Sequence, residues 1–129
     1  MRSTTALTVF SLALVAGAAG ALAEEAYVRQ PLQKSEYPAG YESHIMLVTS
    51  APGALLPRHV HPGVELSYVV EGELTVTIEG KPDLVVKAGS SFSVPPGVIH
   101  SARNTASTPT KVIAAFVVER GKPVASPAP

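Results

Sequence analysis

The run His59-Val60-His61-Pro62-Gly63-Val64-Glu65 places two histidines two residues apart and a glutamate four residues beyond the second. In an extended strand, side chains two apart share a face. His59 and His61 are therefore expected to project together, with a turn at Pro62-Gly63 swinging Glu65 toward them. Two imidazoles and a carboxylate converging on one point supply three ligands of a metal site. His100, which follows Pro95-Pro96-Gly97, is the candidate for a fourth. Three nitrogens and one carboxylate in an octahedral field leave two adjacent positions for substrate, water or dioxygen. A lone histidine would favour a core or surface imidazole, but three at this spacing with a carboxylate favour the metal. His44 stands apart from these runs and reads as an exposed strand end, the sharper alternative being a contact at the mouth of the site. The chain carries no nucleophile elbow, no phosphate-binding loop and no paired-carboxylate site.

The elements that must position these groups read as strands. After residue 23 no long segment repeats its apolar residues at helical spacing, and Gly and Pro punctuate short β-rich runs. Strands are expected at His44–Ser50, Arg58–His61, Glu65–Val70, Glu73–Glu79, Leu84–Lys87, Ser91–Val94, Val98–Arg103 and Lys111–Glu119. Glu71-Gly72 reads as a tight hairpin turn, with Glu73–Glu79 pairing back across it. Many short strands with regular turn signals mean a sandwich or barrel. Residues 24–43 read as an N-terminal arm with room for one strand, since Pro31 and Pro38 argue against a helix. The barrel is expected over 44–120, and 121–129 as an irregular tail.

Alternation along the strands outlines a pocket. Ser67 and Val69 share the face of Glu65, while Tyr68 points away. From His100 the same rule puts Ala102 and Asn104 inside and Arg103 outside. Phe92 and Val94 precede the proline turn, and Met46 and Phe116 complete the expected lining with Ser67 and Val69. Core packing competes for each of these residues. Such a cavity is largely apolar and suits a small organic ligand that reaches the metal through oxygen.

Composition narrows the setting. Residues 1–23 of the 129 read as a secretory signal peptide, with Arg2, an apolar stretch from Ala6 to Ala19 and an Ala21-Leu22-Ala23 cleavage site. The alternative, an uncleaved anchor, is disfavoured by the short stretch and the well-formed site. Cleavage leaves 106 residues with nine basic against ten acidic side chains, a balance that suggests neither nucleic acid nor an anionic membrane as partner. The chain has no cysteine, so a closed barrel, a metal or a dimer must supply what a disulfide would. The leader lacks twin arginines, so the protein is expected to cross unfolded and load its metal in a periplasm or outside the cell. Affinity order there favours Zn or Cu, with Fe, Mn, Ni and Co also compatible with the ligands.

The two runs extend into longer patterns. The first is Gly53, five residues, His59-x-His61, three residues, Glu65, six residues, Gly72. The second is Gly89, five residues, Pro95-Pro96-Gly97, two residues, His100, three residues, Asn104. Together they resemble both signature motifs of the cupin family, with every marked position present over about half of the mature chain. The PLQK opening and VVERGKP ending are similar to those of small exported single-domain cupins. The resemblance implies an all-β fold, an antiparallel jelly-roll barrel or double-stranded β-helix. It maps the family's divalent-metal ligands onto His59, His61, Glu65 and His100. It implies a homodimer, and an enzyme of the metal-dependent, quercetinase-like dioxygenase kind. Isomerase or lyase chemistry on a sugar or acid is a second enzymatic expectation. A non-catalytic metal or small-ligand binder is the rival, because no acid or base beyond the ligands is visible.

Overall fold

The structure is a computed structural model and describes residues 26–129; the expected signal peptide lies outside the described residues. The chain runs through β1 (Tyr27–Ser35), β2 (Tyr41–Ser50), β3 (Leu55–Val60), β4 (Gly63–Glu71) and β5 (Glu73–Ile78). It continues through β6 (Leu84–Lys87), β7 (Ser91–Val94), β8 (His100–Asn104), β9 (Thr110–Glu119) and β10 (Ser126–Pro127). They form two five-stranded antiparallel sheets, ordered β1-β2-β9-β4-β7 and β10-β3-β8-β5-β6. This is the double-stranded β-helix expected from the sequence. The alternation that announced it is clearest in β9, where Thr110, Val112, Ala114, Phe116 and Val118 are buried and the residues between them are partly exposed. β9 lies between β2 and β4 over almost its whole length, so its inner row forms the floor of the first sheet.

Part of the space between the sheets is filled. Val69, Val76, Val86 and Val94 come from four strands, and each is at most 2% exposed. Leu74, Ile78 and Val112 complete this cluster. Ala114, Phe116 and Val118 form a second cluster, with Met46, Val48 and Val124 against it.

Three expectations need correction. Of the arm expected over 24–43, the described residues 26–43 belong to the barrel, because β1 pairs with β2 from Tyr27 to Ser35 and β2 begins at Tyr41 rather than His44. β1 is an edge strand, and its register shifts between Pro31 and Gln33. Proline cannot donate to a ladder, and an edge with a bulge is where a strand accommodates it. Glu71-Gly72 is not a hairpin turn: β4 pairs with β7 and β9, whereas β5 pairs with β6 and β8 in the other sheet. Gly72, at φ +80°, carries the chain across the gap, and a Cβ there would lie 2.8 Å from Thr110 Oγ1.

The third correction concerns His59, His61 and Glu65, which do not come from one hairpin. β3 belongs to the second sheet and β4 to the first, so the link between them is also a crossover. Pro62 has no N–H for a ladder, and its carbonyl accepts from Glu119 N at 2.9 Å. Gly63 then packs so closely on β9 that a Cβ would fall 1.9 Å from Val117 O. The crossover brings Glu65 back facing the histidines from the opposite sheet.

Candidate metal centre

His59 and His100 are directly opposed in the β3–β8 ladder, His61 occupies the crossover, and Glu65 faces them from β4. All four are buried, at 7%, 4%, 4% and 7% exposure for His59, His61, His100 and Glu65. One ligand atom from each lies within 4.8 Å of every other. Sequence spacing therefore identified a real convergence, although two sheets rather than one hairpin create it. The Pro95-Pro96-Gly97 turn is tied to the same place, since Gly97 N donates to His61 O at 3.0 Å.

Each imidazole is oriented from behind by a backbone carbonyl. Nδ1 of His59 lies 2.6 Å from Pro57 O, Nδ1 of His61 2.6 Å from Val124 O, and Nδ1 of His100 3.0 Å from Val98 O. A carbonyl only accepts, so each Nδ1 carries the proton and each Nε2 turns a lone pair inward. Glu65 Oε2 is 3.0 Å from Nε2 of both His61 and His100. Ser67 Oγ donates to the other carboxylate oxygen, Oε1, at 2.7 Å. Lone pairs this close repel unless a cation, a proton or a metal ion, lies among them. The donor set fits a divalent transition metal: three neutral imidazole nitrogens, one carboxylate oxygen, and an outer partner holding each.

Without a metal the electrostatics divide the cluster into a Glu65–His100 charge pair and a neutral His59. Burial raises the Glu65 carboxyl, but hydrogen bonds from His100, His61 and Ser67 outweigh it and hold the group well below the usual carboxylate range. Burial also disfavours charge on His100, yet its contact with Glu65 prevails and raises it. His59 is one place removed from the carboxylate, and burial pushes it down to about 4. It therefore presents a lone pair at neutral pH.

The centre opens into a cavity of about 260 Å³. Met46, Phe92 and Phe116 line it as expected. Phe116 packs against the His61 ring with centroids 4.7 Å apart. Ser67, Val69 and Val94 were also expected in the lining but lie elsewhere. Ser67 is turned to Glu65, and the two valines sit in the filled core, where the inner row of β4 and β7 passes beyond the cavity. His44 is no strand end, because β2 starts three residues earlier; it stands opposite Phe116 with Nε2 3.2 Å from Glu42 Oε2. Asn104 faces inward as expected and lines the cavity, while its amide nitrogen donates to Ser50 O at 2.9 Å and Thr108 O at 3.0 Å.

Sequence reasoning missed three contributions. Tyr27 and Arg29 on β1 line the cavity. Arg103 lines it too, although alternation points it outward. Residues 121–129 are not merely irregular: Ser126 and Pro127 pair with Val60 and His59, and Val124 and Ala125 wall the cavity. A valine between prolines was the only signal there, and a carbonyl that orients a ligand leaves no mark in sequence.

Comparison with known proteins agrees with this geometry. Residues 46–117 match the Cupin domain. Over 73 residues the chain is 44% identical to probable germin-like protein subfamily 2 member 5 of Arabidopsis thaliana, covering 51% of this chain and 33% of that protein. Over 77 residues it is 38% identical to oxalate oxidase 2 of Hordeum vulgare, covering 54% of this chain and 34% of that one. A solved structure of recombinant oxalate oxidase in complex with glycolate is similar at TM-score 0.65 and 28% identity, covering 79% of this chain and 55% of that one. The chain spans about a third of the length of the curated relatives it matches. With the domain match, the two sequence runs and the double-stranded β-helix in agreement, this chain belongs to the cupin family.

Proposed function

We propose that the protein is an exported metal-dependent cupin enzyme of the dioxygenase type, acting on a small organic ligand that binds through oxygen. The observation that carries this is the convergence of three Nε2 atoms and Glu65 Oε2 at the buried end of an apolar cavity. A divalent transition metal held by His59, His61, Glu65 and His100 supplies Lewis acidity and, where it is redox-active, access to dioxygen chemistry. The chain's own residues do the rest. Carbonyls at 57, 98 and 124 fix the rings, Ser67 keeps one carboxylate oxygen occupied, and Met46, Phe92 and Phe116 exclude water from the approach. Similarity to oxalate oxidases supports oxygen-consuming chemistry on an oxygen-rich ligand.

The leader expected at residues 1–23 directs loading outside the cytoplasm and favours Zn or Cu. Among the described residues no helix is long and apolar enough to cross a membrane. A homodimer belongs to the same reading: the outer face of β4 exposes Leu66, Tyr68 and Val70, which a second copy would cover. Sedimentation as a monomer at micromolar concentration would reject it.

The test is metal analysis of protein purified from its native compartment, followed by oxygen uptake on enediols, flavonols, diketones and oxalate. Mainly Fe or Mn would reject the metal assignment. Bound metal with no turnover would favour a non-catalytic binding protein. One observation already favours that second reading over an isomerase or lyase: apart from the ligands, the cavity lining among the described residues offers no carboxylate or imidazole as acid or base.

A further inference from the structure

The charges that line the cavity are segregated. Among the described residues Glu65 is the only acidic one in the lining, and it lies at the metal end. Among the described residues the lysines or arginines that border it are Arg29 and Arg103, both exposed at its rim. Arg29 comes from β1, where its guanidinium carbon sits 5.3 Å from the centroid of the Tyr27 ring. Arg103 comes from β8, where Nη1 donates to Gly53 O at 3.0 Å and so holds one side of the guanidinium in place.

Register places both arginines at the opposite end from the ligands. Arg103 is three residues along β8 from His100, about 10 Å at the rise of a strand. Arg29 pairs with Val48 on β2, whereas the level of Glu65 is that of Phe116 and His44. That is four residues further along β2, or about 13 Å. Between the two ends the wall is apolar, with Met46, Val48, Phe92, Val112 and Phe116.

A dication held by one carboxylate leaves net positive charge at the inner end, and two guanidiniums add positive charge at the outer end. Among the described residues no lining carboxylate offsets them. We infer that the cavity takes an amphipathic organic acid, with its carboxylate at Arg29 and Arg103 and a second oxygen function at the metal end. This rests on the metal reading above and names the substrate class for it. Guanidinium geometry suits a carboxylate, and charge-assisted hydrogen bonds are the strong ones. An apolar spacer of about 10 Å matches a phenyl ring with a short chain better than a two-carbon diacid.

The probes are 3-(4-hydroxyphenyl)propanoate, its amide, and 3-phenylpropanoate, titrated calorimetrically into the zinc-loaded protein after zinc content is measured. The hydroxylated carboxylate should bind about tenfold more tightly than its amide, a preference that falls with added salt. It should also bind more tightly than 3-phenylpropanoate, which lacks the oxygen for the metal end. The variant carrying Arg29→Gln and Arg103→Gln should lose the preference for carboxylate over amide while keeping its zinc content. Arg29→Gln alone, which leaves the Gly53 anchor intact, should lose part of it and so guards against a folding defect in the double variant. Equal binding of acid and amide, no binding of either, or a preference that survives both substitutions would overturn the inference while leaving the metal reading intact. If zinc fails to load, the metal reading fails, and the acid-to-amide ratio in the metal-free protein still decides the arginines: preference supports them, parity overturns them.

Discussion

Where β4, β6 and β7 meet, Val69, Val86 and Val94 close the space between the sheets, each at most 2% exposed. Toward β2, β3 and β8 the same architecture holds His59, His61, Glu65 and His100 beside a cavity of about 260 Å³. β4 serves both, with Val69 in the core and Glu65 in the centre, four residues apart on one face. The strand pattern is the same in both places; side-chain size differs. Valines interdigitate in the closed half. Ser50, Ala54, Ala102 and Ala114 line the open half and leave room that larger residues would fill. Stability and chemistry are thus assigned to different layers of one barrel, and substitutions can separate them.

The largest effect should come from Gly63→Ala, which places a methyl on Val117 O and breaks both halves at once. Circular dichroism and gel filtration should show loss of the folded barrel; a folded variant that binds metal normally would contradict the close approach. Next comes a reciprocal pair. Glu65→Gln should weaken zinc binding by about 100-fold, because the only anionic ligand is gone, while chemical denaturation of the metal-free protein still shows a folded barrel. Val86→Ala should cost about 2 kcal/mol in the same denaturation assay and leave zinc stoichiometry intact. If either variant moved both readouts equally, the division between the halves would fail.

Ala114→Leu sharpens the contrast by filling the open half as valines fill the closed one. It should change stability by about 1 kcal/mol, keep the metal, and abolish binding of the aromatic carboxylate probe. The smallest effect is a pH dependence confined to the open half. In the metal-free protein His59 stays neutral in the fold down to about pH 4, whereas an unfolded histidine protonates near 6.5. The unfolded state then binds more protons between those values, so His59 lowers stability as pH falls from 6.5 to 4. His100, raised by Glu65, acts in the opposite sense, contributing stability at low pH that is lost as pH rises. The difference in melting temperature between wild type and His59→Gln isolates the first contribution and should shrink toward pH 4. A difference that stays flat across that window would place the His59 ring in water.

Much of this was legible in the sequence. Ligand spacing and strand alternation are local properties, so β9, the four candidate ligands and three of the six expected pocket residues fell where the pattern put them. Gly72 was misread because a glycine with positive φ serves a hairpin and a sheet crossover equally well. β1 was underestimated because Pro31 argues against a central strand but not against an edge. Val69 and Val94 share the inward face with Glu65, yet whether an inward residue meets core or cavity is fixed only by how the two sheets meet. The arginine rim depends on the register of β1 against β2, and that register shifts at a bulge.

The contact between His61 Nδ1 and Val124 O spans 63 residues of chain. Val124 belongs to a tail held by the two-residue pairing of β10 with β3, which is too short to form before β3 is in its sheet. His61 therefore gains its final orientation only once residues 121–129 have settled against β3. The seat for the ion is a product of folding rather than its seed, so metal added during refolding should not speed barrel formation and should be captured afterwards.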